Sequence, residues 1–322
     1  MTSSVAVKYA QRMVHKFGLV PPVDVELLIR ERAELTYTAI PMQGVDGVCL
    51  YLKTPGKTTK VIVNSNNPPL RQRFTLAHEL GHIIIPWHTG SIVDHLDPDE
   101  GYAVQDYLEL ENEANLFAGE ILVPSNWALA LLDDTANLAE IHRIISKECH
   151  VSSHAAAVRL AQILPKNIVF AADRSGTVEF SGRTPGTLAS SPGWGTKFDS
   201  NAYSYATSHF STKLGKRTCH WWILPNTVSV KIEDQRAWRE ILDSIVDSFG
   251  LPESDAKDFK KSINGVVAFA NGRARRSDDY SVDSLISACM QRFSDRPEFK
   301  SFVQNSDFEA FLVKKAESLV NK

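Results

Sequence analysis

Cysteine is scarce, with four in 322 residues, and Cys49, Cys149, Cys219 and Cys289 lie far apart with no CxxC pair. That excludes a disulfide scaffold and a structural zinc site built from thiolates. The four read as free, buried thiols. Cys149 is kept as the one thiol that could occupy the open position of a metal centre. No apolar run approaches the roughly 18 residues that span a bilayer. The opening MTSSVAVKYAQRMVHKFG has no signal-peptide core. The expectation is a cytoplasmic protein with no membrane partner. Lys and Arg are missing altogether between Arg73 and Arg143, a stretch with thirteen carboxylates, among them Asp94, Asp97, Asp99, Glu100 and Glu109. Such a surface repels nucleic acid and attracts cations or a basic segment of a partner.

What is present has the balance of an ordinary globular chain, 43% hydrophobic and 23% charged. At about 150 residues per domain the length suggests two or three domains. The net charge of −3 divides unevenly, −6 over residues 1–164 and +3 over 165–322. Helical spacing is expected over 4–17 and, after an Asp24 N-cap, to about Glu34. The runs LTYTAI, GVCLYL and KVIVNS read as strands. LRQRFTLAHELGHIII reads as a helix ended by Pro86, and the acidic segment 91–101 as a loop. A helix over 105–122 stops before Pro124, and shorter ones are expected at 125–132, 137–148 and 152–163. The last two form a helix-turn-helix-like pair. It has few basic residues (Arg143, Lys147, Arg159), which favours plain two-helix packing over DNA binding. Beyond Leu164, NIVFAA, TVEFSG and CHWWIL read as strands, and 233–321 returns to helical periodicity. The chain divides on this reading into 1–132, 133–164 and 165–322, an α+β protein whose last third is a second, mixed α/β domain.

The string HELGH at 78–82 carries the chemistry. On a helix, His78 and His82 lie on one face, one turn apart, so both imidazoles can reach one ion. Glu79 is directed beside that ion, where it can move a proton. Gly81, small and between the ligand residues, allows another backbone close by. The third ligand has three candidates. His88 stands where HExxHxxGxxH would place its last His, yet Ile85 occupies the position that needs Gly, which makes His88 the weaker choice. Glu111 and Glu113 lie on the next helix, in ENEANLFAGEILVP. From Glu111 the following turns present Ala114, Asn115 and Ala118, a small-residue face that could pack against the HELGH helix. Glu111 is preferred on that ground, with Glu113 the alternative. Asn115 is placed to hydrogen-bond a ligand imidazole.

FTLAHELGHIII followed by ENEANLFAGEILVP resembles the ImmA/IrrE family of zinc metallopeptidases, over about Tyr37 to Pro124, and VSSHAAAVRLAQI is similar to the segment that follows its peptidase core. The resemblance implies a zincin-like domain with a gluzincin-type site. It implies one Zn²⁺ on His78, His82 and Glu111, with Glu79 as catalytic base. It implies a helix-turn-helix repressor as substrate, cleaved after DNA damage, mobile-element induction or phage infection. IrrE-like and CapP-like members carry a C-terminal sensor domain, and the two-part character here is similar. In the C-terminal half, Arg273, Arg275 and Arg276 in a turn are candidate contacts for single-stranded DNA or a small ligand, with Trp221 or Trp222 as a stacking platform. A solvated turn and core tryptophans are the blander expectation. The rival function is a non-catalytic regulator that binds a repressor or DNA.

Overall fold

The structure, a computed structural model, describes residues 4–42, 44–93, 102–277, 279–294 and 296–321, and the side chains of all these but 102–105. The chain forms two compact units, Met1–Ile163 and Leu164–Lys322.

The first unit opens with α1 (Val5–Phe17), capped by the Ser4 side chain, and α2 (Val25–Arg30), where the Asp24 carboxylate accepts from the Leu27 N–H at 3.0 Å. α2 ends at Arg30, earlier than the periodicity predicts. Glu34 is already committed to pairing with Lys60 in the sheet. That sheet contains β1 (Glu34–Thr38), β2 (Gly47–Leu52), β3 (Lys60–Asn64) and β4 (Gly90–Val93), in the order β1-β3-β2-β4. β1 and β3 run parallel, and the other neighbours are antiparallel. β4 corrects the expected loop at its start. Four residues are too few to show an alternation, and pairing of Val93 and Ile92 with Val48 and Cys49 makes the strand. The rest of that acidic segment, with Asp94, Asp97, Asp99 and Glu100, lies outside the described residues.

Between β3 and β4 runs α3 (Pro69–Ile84), begun by Pro69 at its first position. It stops where Ile85 turns extended (φ −71°, ψ 119°) ahead of Pro86. Every residue from Thr75 to His82 is buried, because the helix lies against β2 and β3 on one side and against α4 (Tyr102–Leu122) on the other. The close approach is made at Gly81. A Cβ there would meet the Ala114 Cα at 3.2 Å and Phe117 at 3.3 Å. Ala114 and Ala118, the small face expected of this helix, are fully buried.

α5 (Ser125–Asp134), α6 (Leu138–Glu148) and α7 (Ser153–Ile163) complete the unit. Arg159 of α7 turns inward to an ion pair with the buried Glu120 of α4, and donates to the Val123 carbonyl at 3.1 Å. Arg143 pairs with Glu140 on its own helix at 2.6 Å. His142, fully buried, donates from Nε2 to the Ser153 carbonyl at 2.7 Å and ties α6 to α7.

The second unit opens with an antiparallel sheet of β5 (Ile168–Arg174), β6 (Thr177–Arg183), β7 (Ser208–Leu214) and β8 (Arg217–Ile223), ordered β6-β5-β8-β7. β7 was not legible beforehand: SHFSTKL is a half-exposed edge strand with little apolar content. Trp221 and Trp222 of β8 are buried, Trp221 stacked on Phe170 at 5.0 Å, so neither offers a platform to a nucleic-acid base. α8 (Trp238–Asp247), α9 (Glu253–Ala274), α10 (Val282–Phe293), a 3-10 turn at Pro297–Phe299, α11 (Lys300–Val303) and α12 (Phe308–Val320) follow. They pack around Phe293, Phe299, Phe302, Phe308 and Phe311. Asn271–Ala274 form the last turn of α9 rather than a loop, so Arg273 is helical and Arg275 and Arg276 come after it. Among the described residues no single helix is long and apolar enough to cross a membrane.

Candidate metal centre

Helical spacing on α3 sets the His78 and His82 rings 4.8 Å apart between centroids, with their Nε2 atoms 3.0 Å from each other. α4 brings Glu111 to both: Oε2 lies 3.3 Å from His78 Nε2, and Oε1 lies 3.5 Å from His82 Nε2. An ion with four tetrahedral arms of 2.0–2.1 Å keeps its ligand atoms roughly 3.3 Å apart, so these three separations suit one small cation. The polar atoms ask for one as well. Two imidazole nitrogens at this distance cannot both aim a proton at the other, and Glu111 Oε1 is buried without a hydrogen-bond partner. Burial would raise the Glu111 carboxyl. The hydrogen bonds and charge of His78 and His82 outweigh it and hold the group down at about 2.

The opposite ring nitrogens are held in turn. His78 Nδ1 donates to Asn115 Oδ1 at 3.0 Å, one helical turn beyond Glu111, as the spacing on α4 predicts. His82 Nδ1 lies 2.7 Å from His88 Nδ1, and His88 Nε2 lies 3.0 Å from Glu113 Oε2, which also accepts from Trp87 Nε1 at 2.7 Å. His88 and Glu113, the other two candidates for third ligand, therefore stand behind His82 rather than beside Glu111. Burial pushes the His88 imidazole down to about 4, so it rests neutral and can accept from His82. The turn that carries His88 is pinned by Lys53, which left-handed backbone (φ 52°) carries out of β2. Its Nζ donates to the carbonyls of His82 and His88 at 3.0 and 2.7 Å. A lone lysine at a strand end carries no signal in the sequence.

Glu79 is fully buried. Across from it, β2 begins with Gly47, and a Cβ built there would overlap Glu79 Oε1 and approach the Thr75 methyl at 2.6 Å. The glycine is needed for space, not for an unusual φ. Its place at the head of GVCLYL was the available clue, since glycine in a strand often marks a close approach.

Other expected participants lie elsewhere. Cys149 caps α6, its carbonyl accepts from Arg73 Nε at 3.3 Å, and burial pushes its thiol up to about 12. Among the described residues the convergent donor group is His78, His82 and Glu111, without a thiol. In the second unit Arg275 turns to the Leu319 carbonyl at 3.4 Å, while Arg273 and Arg276 face a cleft.

Residues 30–161 match the model of the peptidase family described as the IrrE N-terminal-like domain, a span that runs from the end of α2 to α7 and includes every residue of the trio. Two curated relatives, the radiation response metalloproteases IrrE of Deinococcus radiodurans and Deinococcus deserti, are 29% and 26% identical over 138 residues. These alignments take in 40% of this chain, and 42% and 48% of the relatives, so the chain spans less than half the length of either. A solved structure described as a Mycobacterium tuberculosis transcriptional regulator is alike over 70% of this chain and 93% of its own. The two are 13% identical, with a TM-score of 0.39. The motif-bearing unit thus carries the residues that match the IrrE N-terminal-like domain, and it is over this unit that the chain is similar to the radiation response metalloproteases.

Proposed function

We propose that this chain is a zinc-dependent endopeptidase that cuts a protein substrate in a stress response. The observation that carries the reading is the convergence of His78 Nε2, His82 Nε2 and the Glu111 carboxylate, with Glu79 next along the helix. The site is of gluzincin type in a zincin-like domain, holding one zinc ion. Bound there, zinc would supply Lewis acidity, polarising a peptide carbonyl and making water easier to deprotonate. Glu79 takes the proton of the attacking water and returns it to the leaving amine. Asn115 and His88 keep both ligand imidazoles protonated on Nδ1, which puts the lone pair that would ligate on Nε2. Neutral imidazoles and a carboxylate are the donor set that zinc favours.

The relatives' designation as radiation response metalloproteases supports a role under stress. The substrate is read as a helix-turn-helix repressor in the cytoplasm, as the family resemblance implies. The absence of Lys and Arg from Phe74 to His142 suits a basic segment of such a protein. The second unit is read as the sensor and α6–α7 as a helix-turn-helix-like segment. Burial of Arg159 and pairing of Arg143 count against DNA binding by that segment.

The test compares new protein N-termini in cells expressing wild type or Glu79→Gln, with and without DNA damage, alongside the zinc content of both proteins. New termini in one repressor, made only by the wild type, are expected, with one zinc in each protein. Identical termini from both proteins, or none from zinc-loaded wild type in either condition, would overturn the reading.

A further inference from the structure

The second unit contains a cleft of about 960 Å³, between Lys166, just before β5, Arg183, at the end of β6, and the helices α9 and α10. Its floor is polar and fixed. Thr184, Thr187, Ser287 and Gln291 are each at most 5% exposed. They are tied by Thr184 to Thr187 at 2.9 Å, Ser287 to the Pro225 carbonyl at 2.7 Å, and Gln291 Oε1 to the Leu188 N–H at 3.3 Å.

The rim is cationic. Lys166, Arg183, Arg273, Arg276 and Arg292 face Asp279 as the single carboxylate among the described lining residues. Elsewhere in this unit arginines find acids: Arg174 and Arg217 share Glu179, and Arg236 holds Asp234 and Asp307. Around the cleft, Lys166, Arg183, Arg273 and Arg276 make no ion pair among the described residues. Four such cations gathered at one opening with a single carboxylate beside them repel one another, and a multiply charged anion relieves them. Guanidinium forks match phosphate oxygens. The first turn of α10 adds the positive end of a helix dipole, with Ser281 and Ser284 in the wall.

One wall is apolar. The Phe269 ring is 45% exposed, with the guanidinium of Arg292 at 4.8 Å and that of Arg273 at 5.6 Å from its centroid. A flat heterocycle can stack there beside the cations. The volume is that of a small-molecule site and far exceeds an inorganic phosphate.

We propose that this cleft binds a nucleotide, phosphates on the arginine rim and base against Phe269. The nucleotide is a free one. A single strand needs a basic track along its backbone, and here the basic run is broken, because Arg275 turns away to the Leu319 carbonyl. The site is independent of the metal centre and stands whether or not the peptidase reading does.

The experiment titrates ATP into the full-length protein by calorimetry at about 0.15 M salt. Saturable one-to-one binding is expected, competed by inorganic pyrophosphate. Losing two charge-assisted contacts in the Arg273→Gln/Arg276→Gln variant should weaken it at least about tenfold. Both side chains are exposed, so the fold should survive; circular dichroism checks it, and Lys166→Gln tests the opposite rim. Phe269→Leu should weaken ATP while leaving pyrophosphate unchanged. No ATP binding by folded wild type, or equal binding by folded rim variants, would overturn the proposal. So would a thymidine oligonucleotide that binds the same rim and is not displaced by ATP.

Discussion

An imidazole that gives Nε2 to a cation must carry its proton on Nδ1, and that proton needs an acceptor. For His82 the acceptor is His88 Nδ1, which fixes the proton of His88 on Nε2, aimed at Glu113. The order of donors is thereby set from the Glu113 carboxylate to His82. His88→Ala should lower zinc affinity about 10- to 100-fold, read by competition with a chelator. Glu113→Gln, which keeps an acceptor oxygen, should cost less. Unchanged affinity in His88→Ala would refute the chain. Spacing had put His88, Glu113 and Glu111 near one another as rival ligands. It could not rank them by orientation, because α3 ends at Ile84 and the turn at Pro86 brings His88 back behind His82. His78, Glu79, His82 and Asn115 were readable because each sits a whole helical turn or a single residue from another member on a regular helix. Lys53 was not, since it acts through Nζ on backbone carbonyls.

Long, strongly periodic helices were legible with near-correct ends, and so were the strands with apolar centres. β4 and β7 were not, being edge strands made by their neighbours rather than by their own composition. The same limit applies to charges. Arg159 reads in sequence as a surface cation, whereas it is buried against Glu120, which also accepts from the Ser125 N–H at 2.9 Å and hydroxyl at 2.7 Å. This cluster joins α4, α5 and α7. Arg159→Met should destabilise the protein by about 3–5 kcal/mol, since it strands a buried carboxylate. Adding Glu120→Leu should recover most of the loss. Urea unfolding of the single and double variants reads both, and equal losses would show that packing, not charge, is at stake.

Stability of the whole chain should depend on pH through His142, which burial depresses to about 4 from an ordinary 6.5. The unfolded chain takes up this proton more readily than the folded one. The group's contribution is therefore fully present above pH 6.5 and is lost as pH falls toward 4. Between pH 7 and pH 5 it amounts to about 2 kcal/mol. His142→Gln should be less stable at pH 7 yet flatter across that range, by unfolding midpoints at both values. Parallel slopes for the two proteins would show that the histidine does not titrate in this way. The molecule's division into an acidic, motif-rich half and a basic, motif-poor half was visible in composition. The cleft in the second half was not, because its rim gathers residues more than a hundred positions apart.

The void left by the absent side chain at Gly47 bears on how chains of this kind are sorted. A related sequence can keep HELGH and the downstream glutamate, and with them a complete donor set, yet place alanine or valine at the head of the facing strand. There the Glu79 side chain would be displaced while His78, His82 and Glu111 stayed put. The residue that tells a working peptidase from a metal-holding relic would then lie outside both motifs, some thirty positions upstream of the histidines.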